Sequence, residues 1–230
     1  MPETFSMSLS ELDILDEDLR LGRGVHPFRI PYASPTFEER TRQREAVWKA
    51  LADADLAASG KLVAEVEETL RAWARPDVLI THVASVIEDG SRELYRGGWQ
   101  GDTGFMSRLQ GDRVVFDERK PGQVVPEIVD FLPSCFPFAG HGVTTTAPPG
   151  SAGFGQGQGF FDRPMLRYGA IEVSTGSEGG QLGTLLWFDS VRGRFLLEAL
   201  QLLDGTQRRT FTPTDGRHIA YWLHRKVTSI

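Results

Sequence analysis

A glycine run is the first part of the sequence whose residue spacing suggests chemistry. Gly150–Phe161 reads GSAGFGQGQGFF, and alternating glycines can hold a phosphate where they join a strand to the N-terminus of a helix. The dinucleotide fingerprint G-x-G-x-x-G fails, because its last position is Gln158 when counted from Gly153 and Phe160 when counted from Gly155. A P-loop also needs a lysine, and this run has none. The run therefore predicts a flexible linker.

Other catalytic signatures are missing as well. The five histidines show no HExxH motif or other metal-ligand spacing. Ser174–Gly180, STGSEGG, superficially resembles an esterase elbow, but G-x-S-x-G is absent and the segment lies between two predicted strands. Cys135 and His141 would need a rigid scaffold to act as a nucleophile and its base, and both lie where the glycine-rich region starts. The sequence therefore favours a binding protein, with no metal site expected.

The composition restricts the class of protein further. The chain has 230 residues, enough for one large domain or two small lobes, and a net charge of −6. An acidic chain lacks the basic footprint of a nucleic-acid binder. One cysteine allows no intramolecular disulfide, and neither a signal peptide nor a run long enough to span a membrane is evident. We therefore expect a cytoplasmic protein that does not insert into a membrane.

Helical patterns occupy the first third of the chain. Ser8 and Glu11 have the spacing of a capping box, which predicts a helix over residues 8–22. Thr36 caps a second predicted helix, and a third begins near Ser59–Gly60. We expect the second and third helices to pack as a hairpin.

A strand pattern begins at Val78 and is followed by short antiparallel strands. The segment PGQVVPEIVDFLP then predicts a helix with Pro126 in its first turn, where a missing N–H costs little. Strands resume at Met165, and a final helix is predicted to start at Thr212–Pro213.

The two strand regions repeat one plan. WQGDTGFM at Trp99 and WFDSVRGRFL at Trp187 each end a strand, turn through Asp and Gly, and enter an apolar strand. Each region closes with a proline-started helix. A duplicated β-meander plus helix produces this pattern, and chance similarity of two meanders is the alternative. We predict an α+β fold with a central antiparallel sheet flanked by helices, in two similar halves with quasi-two-fold symmetry.

These patterns divide the chain into one composite domain with three parts. Residues 1–132 form the N-terminal half, 165–230 form the C-terminal half, and 133–164 form a linker rich in glycine and proline. Weak order is expected over roughly residues 140–160, from this composition.

The chain resembles the EspG family of type VII (ESX) secretion-associated proteins over nearly its whole length. The resemblance is carried by SLSELDILDEDLRLGRGVHP, TFEERTRQREAVWKALADADL and LVAEVEETLRAWARPDVLI, and later by RYGAIEVSTG, LWFDSVRGRFL and RRTFTPTDGRHIAYWL. It implies a cytosolic chaperone that binds a helical secretion substrate, typically the PPE subunit of a PE–PPE pair near its hydrophobic tip. Such a chaperone keeps the substrate soluble and delivers it to the secretion machinery. The resemblance implies neither catalysis nor a cofactor.

The resemblance also points to a contact loop. It corresponds here to Glu88–Ser91 or to the neighbouring loop, which is too short to wrap much of a substrate, so either the substrate differs or another surface carries the contact. Aromatic anchors dominate such interfaces. The predicted partner-binding residues are Trp187, Phe188, Phe154, Phe160 and Phe161, and the competing interpretation makes them ordinary core and idle linker residues.

Two other functional interpretations remain open from the sequence. One is an enzyme or a small-ligand-binding protein whose site forms only in the fold, with His82, Asp102 and Asp189 as the first residues to inspect. The other is an oligomer, such as a homodimer, that associates through edge strands.

Overall fold

The computed structural model describes residues 4–22, 25–32, 34, 36–150, 154–176 and 180–228. The chain divides into two compact units. Unit 1 comprises Met1–Thr81, Leu94–Val124 and Thr175–Gly180, and unit 2 comprises His82–Glu93, Val125–Ser174 and Gln181–Ile230.

Strands and helices alternate in blocks along the chain. The strands are β1 (Thr4–Ser8), β2 (Ala57–Ala58), β3 (Lys61–Leu62), β4 (Val78–Val86), β5 (Arg92–Gln100), β6 (Thr103–Gln110), β7 (Arg113–Arg119), β8 (Val143–Ala147), β9 (Met165–Thr175), β10 (Gly180–Ser190), β11 (Gly193–Gln201) and β12 (Gln207–Pro213). The helices are α1 (Leu9–Leu19), α2 (Phe37–Asp53), α3 (Ala64–Ala74), α4 (Pro121–Asp130) and α5 (Gly216–Val227), with a 3-10 helix at Gly155–Phe160. The large sheet has the strand order β1-β7-β6-β5-β4-β9-β10-β11-β12-β8.

Two parts of the chain share an order of strands in the large sheet. In each part an outer strand comes first, a four-strand meander comes later and a helix closes the part, although α1, α2, β2, β3 and α3 precede the meander in the first part and the 3-10 helix precedes it in the second. The last meander strand pairs antiparallel with the outer strand, so β7 pairs with β1 and β12 pairs with β8. This confirms the predicted α+β class with an antiparallel sheet. The quasi-two-fold symmetry of the halves stays a prediction.

Unit 1 builds its core from helices packed on strands. Phe5 of β1 lies opposite Phe116 of β7, with the two rings stacked 5.0 Å apart. Trp73 of α3 meets Phe116 edge-on at 5.2 Å, and its Nε1 donates a hydrogen bond to the Ser107 hydroxyl at 3.0 Å. These aromatic contacts fix α3 against the sheet, since edge-on and offset-stacked rings are the favoured geometries.

A buried arginine joins three segments of unit 1. Arg96 of β5 donates from Nε and Nη2 to the Trp73 carbonyl at 3.0 and 2.7 Å, and from Nη1 to the His26 carbonyl at 2.7 Å. Burial lowers the pKa of Arg96 to about 9, because the charged form loses its hydration. Among the described residues Arg96 forms no ion pair with a carboxylate.

Among the described residues, no long helix contributes to the main aromatic core of unit 2. Phe160, at the end of the 3-10 helix, is buried and stacks on Phe211 of β12 at 5.3 Å and on Phe138 at 4.7 Å. Phe195 of β11 packs against both Phe138 and Phe160. Residues of the predicted linker therefore supply much of this core.

The structure thus differs from the linker prediction for residues 133–164. The described residues form β8 and the 3-10 helix, and they pack within unit 2. The physical reason is close approach at Gly157, where an added Cβ would lie 2.1 Å from the Phe211 ring. Glycine here permits tight packing. Residues 151–153 of the glycine run and residues 177–179 of STGSEGG lie outside the described residues.

Some helix boundaries also differ from the prediction. α1 ends at Leu19, because Arg20 takes a left-handed conformation with φ of 54°. α3 begins at Ala64, since the residues before it form the small β2–β3 ladder, and it packs on β6 while α2 packs on α1. Pro126 lies inside α4, whose first residue is Pro121, and not in its first turn. Among the described residues, no helix is long and apolar enough to cross a bilayer.

Candidate functional site

An open groove of about 770 Å³ lies on one sheet face of unit 2. Alternate residues of three neighbouring strands form its floor, because successive side chains of a strand point to opposite faces. The lining residues are Val83, Ser85, Val86, Ile87, Gly90, Arg92, Tyr168, Gly169, Ala170, Leu186 and Phe188. Most of these side chains are apolar, which makes the groove a candidate contact surface for an apolar partner.

The turn between β4 and β5 forms one wall of the groove. The Ile87 N–H donates to the Leu166 carbonyl at 2.9 Å, which ties the turn to β9. Asp89 Oδ1 accepts a hydrogen bond from the Ser91 N–H at 2.9 Å, and this bond lowers the pKa of the Asp89 carboxyl. The predicted contact loop Glu88–Ser91 therefore lies beside the groove, in a fixed turn.

Exposed apolar side chains mark this region of unit 2. The exposed fractions are 50% for Ile87, 43% for Leu166 and 45% for Tyr168. None of these three residues is predicted as a contact residue from the sequence. A usable signal was the alternation of β9, in which Leu166 and Tyr168 occupy one face while Gly169 and Ile171 are buried. The approach of Leu166 to Ile87 depends on strand pairing between distant segments.

A chain of stacked rings leads from the groove into the core of unit 2. Tyr168 stacks on Phe188 at 6.5 Å, and Phe188 stacks on Phe195 at 5.1 Å. Phe161 contacts both Phe188 and Phe195 edge-on at 5.3 Å. Of the predicted partner-binding residues, Phe188 is therefore the one that lines the groove, and Phe161 supports it from behind.

The other predicted anchors lie deeper. Trp187 is fully buried, on the face of β10 opposite to Phe188, and Phe160 is 4% exposed. Neither side chain is accessible to a partner in this conformation. Phe154 is half-buried and packs on Phe161 at 4.8 Å and on Phe211 at 6.0 Å. Phe154 and Phe160 instead help to form the aromatic core of unit 2 with Phe195 and Phe211.

Two of the residues named for a hidden polar site, His82 and Asp189, are engaged inside unit 2. The Nε1 of Trp187 donates to His82 Nε2 at 3.1 Å, and burial, together with the charge of Arg194, lowers the pKa of His82 to about 4. Asp189 is fully buried and binds Arg194. Asp102 is an exposed turn residue that belongs to unit 1. His82 and Asp189 thus serve the interior of unit 2.

The ion pair of unit 2 also anchors the segment that follows α4. Arg194 donates to both Asp189 oxygens at 2.6 and 2.9 Å, and to the Pro133 carbonyl at 2.7 Å. Its backbone N–H donates to the Phe136 carbonyl at 2.7 Å. Cys135, in the same segment, is half-buried, and burial and the nearby Asp189 carboxylate raise the pKa of its thiol.

The parts of the chain that the structure describes contain no cluster of His, Cys, Asp or Glu that could hold a metal ion.

Comparison with known proteins agrees with the fold. A family model described as the EspG family matches residues 8–225. The chain belongs to the EspG family. No curated protein matches the sequence.

A solved relative shows the same fold as this EspG family member. It is the Mycobacterium tuberculosis type VII secretion system chaperone EspG5, in a structure with the PE25–PPE41 dimer. The two chains are 12% identical, and the match covers 95% of this chain and 93% of the other with a TM-score of 0.69. The fold is therefore kept across almost the full length of both chains, although few residues are shared.

Proposed function

We propose that this protein is a cytoplasmic type VII secretion chaperone. It binds a helical PE–PPE-like substrate protein, which we call the client, keeps it soluble and delivers it to the secretion machinery. The observation that carries the proposal is membership of the EspG family over residues 8–225, together with a full-length fold match to a chaperone solved with its PE–PPE dimer.

The surface of unit 2 supports binding as the activity. Ile87, Leu166 and Tyr168 expose apolar area in one region of the unit, and such patches on a soluble chain are typical of protein contact sites. Two of the three residues considered for catalysis are instead engaged inside the unit. His82 accepts the Trp187 N–H, and Asp189 is bound by Arg194. We therefore propose that the chain is not an enzyme.

Co-expression tests the proposal directly. Helical-hairpin proteins encoded beside this gene would be produced with and without the chain, and the soluble fraction would be resolved by size-exclusion chromatography. We expect one candidate to become soluble and to co-elute with the chain. A helical hairpin from an unrelated secretion locus is the control and should stay insoluble. If no neighbouring candidate forms a complex, the chaperone function is contradicted.

A further inference from the structure

We propose that unit 1 carries an anion site, built from three arginines, that binds a phosphate group. The pocket has a volume of about 130 Å³ and lies where α1 and α3 end. Its described lining consists of Arg20, Leu21, Arg71, Ala74, Arg75 and Gln100. The pocket belongs to unit 1 and the groove to unit 2, so the site goes beyond the proposed binding of a client.

The charge of the pocket is opposite to that of the chain. The sequence carries a net charge of −6, yet three lining residues are arginines and none of the described lining residues is a carboxylate. Glu67 pairs with Arg71 at 2.7 Å and offsets one of the three positive charges. Arg20 and Arg75 form no ion pair with a described residue. Asp77, which follows α3, accepts a backbone N–H and is absent from the described lining.

Backbone carbonyls hold Arg75 in position. Its Nε donates to the Leu21 carbonyl at 3.2 Å, and its Nη2 donates to the Arg20 carbonyl at 2.8 Å. These acceptors are neutral, so they orient the guanidinium without cancelling its charge. Its Nη1 donates to no residue in the described part of the chain and is free to donate to a ligand. A charged donor that is already oriented loses little side-chain freedom when an anion binds.

Capping of the helix ends does not account for all three arginines. The carbonyls at the C-terminus of a helix attract cations, and Arg75 has this role for the residues that follow α1. The Arg20 side chain makes no hydrogen bond to a described residue, and Nε and Nη2 of Arg71 both donate to Glu67. The last carbonyls of α1 already accept N–H groups of the residues after the helix, at 3.0 and 3.3 Å. Two arginines are therefore left without a capping role.

The size and the donors of the pocket favour a phosphate group. Sites for drug-sized ligands have volumes of about 300–1,000 Å³, so this pocket accommodates a free ion or one group of a larger ligand. The guanidinium fork matches the oxygens of phosphate with paired hydrogen bonds. A phosphate monoester carries a charge of about −1.5 to −2 at neutral pH, which offsets the charges of Arg20 and Arg75 together. A carboxylate offsets only one of them.

Titration of the full chain with inorganic phosphate, O-phosphoserine and acetate tests the site. Calorimetry at constant ionic strength and slightly above neutral pH measures the dissociation constants. NMR signals of the Gln100 side-chain amide and of the arginine Nε–H groups report where each anion binds. We expect both phosphate compounds to bind and to shift these signals, and acetate to bind about tenfold more weakly or less. Tighter binding of O-phosphoserine would indicate a phosphate carried by a protein segment, and equal binding would indicate the free ion.

Arg20→Gln removes a charge from the site without removing a side-chain contact of the described structure. It should weaken phosphate binding by about tenfold or more, the usual worth of a hydrogen bond to a charged group, and leave the melting temperature without phosphate unchanged. Arg20→Lys keeps the charge but not the fork and should lose less. The matched control is Arg42→Gln on α2, an exposed arginine that also forms no ion pair with a described residue. This control should bind phosphate as the natural chain does.

Each outcome decides the proposal. Loss of phosphate binding with Arg20→Gln but not with Arg42→Gln supports it. Equal affinity of the two variants would show that phosphate is attracted by surface charge in general, which overturns the site. Acetate that binds as tightly as phosphate overturns the assignment to phosphate. If the natural chain binds neither phosphate compound, the site is overturned, while the co-expression result still decides the chaperone function.

Discussion

Each unit buries a tryptophan beside an arginine, but the polar partners of the two pairs differ. In unit 1, Trp73 donates to a serine hydroxyl, and Arg96 donates to backbone carbonyls. In unit 2, Trp187 donates to His82, and Arg194 donates to the carboxylate of Asp189. Neutral acceptors satisfy the first pair, whereas ionisable side chains satisfy the second.

The difference shows how two parts of a chain with a similar order of strands can differ in their response to pH and to changes of charge. The partners of Trp73 and Arg96 do not titrate near neutral pH, so this pair in unit 1 does not change with mild acid. The interior of unit 2 contains a histidine and a buried ion pair, and both depend on protonation or charge. We therefore expect the tryptophan–arginine pair of unit 2, and not that of unit 1, to respond to charge changes and acid.

The largest expected effect is the loss of the buried charge partner in unit 2. Arg194→Met should lower the free energy of unfolding by about 3–5 kcal/mol, because it leaves the buried Asp189 carboxylate with Arg167, at 3.4 Å, as its remaining ion-pair partner among the described residues. The matched variant in unit 1, Arg96→Met, should cost about 1–3 kcal/mol, since it removes donors to carbonyls and strands no charge. Urea unfolding followed by circular dichroism measures both, and equal losses would contradict the comparison.

The next effect is the pH dependence of unit 2. Burial lowers the pKa of His82 from 6.5 to about 4, so the unfolded chain binds the proton more readily than the folded chain. The contribution of neutral His82 to the free energy of unfolding is complete above pH 6.5 and is lost as the pH falls towards 4. The free energy of unfolding then falls by about 3 kcal/mol in total. Hydrogen exchange followed by mass spectrometry should show peptides around Trp187 losing protection over this range while those around Trp73 keep it.

His82→Asn provides the control for the pH effect. The asparagine amide can accept the Trp187 N–H and does not titrate, so the loss of protection between pH 6.5 and 4 should shrink. Unchanged acid sensitivity in this variant would assign the effect to a group other than His82.

The smallest of the three effects tests the close packing of the glycine-rich 3-10 helix on Phe211 in unit 2. Gly157→Ala should destabilise the protein by about 1–3 kcal/mol, because its Cβ would overlap the Phe211 ring. Gly159→Ala lies in the same 3-10 helix, and its added Cβ would have only Asp162 Oδ2 nearby, at 3.9 Å. It should change stability by less than about 0.5 kcal/mol. Thermal melting compares them, and similar melting temperatures would show that Gly157 is not needed for packing.

Local signals in the sequence predicted local structure well. Ser8 and Glu11 form the expected capping box, with hydrogen bonds in both directions. Strand alternation places Trp187 and Phe188 of β10 on opposite faces, and Trp187 is fully buried while Phe188 is half-buried. Caps and strand alternation depend on residues close in sequence, which is why they can be read directly.

The groove and the aromatic core of unit 2 could not be predicted in the same way. Gly157 matches a flexible linker by composition, and its role becomes visible only when Phe211 is placed against it. The groove needs Ile87 and Leu166 to be brought together by pairing between distant segments. Such contacts depend on which strands become neighbours, and glycine content or periodicity carries no information about that choice.

The single cysteine gives unit 2 a reporter that needs no engineering. Cys135 is the only thiol of the chain, and it follows Pro133, whose carbonyl accepts from Arg194. Because its pKa is raised and its side chain is half-buried, a thiol-reactive dye should label it slowly at neutral pH. Labelling should accelerate whenever the segment held by Arg194 opens. The rate of dye attachment would therefore report the opening of unit 2 in real time, while the opening of unit 1 would leave that rate unchanged.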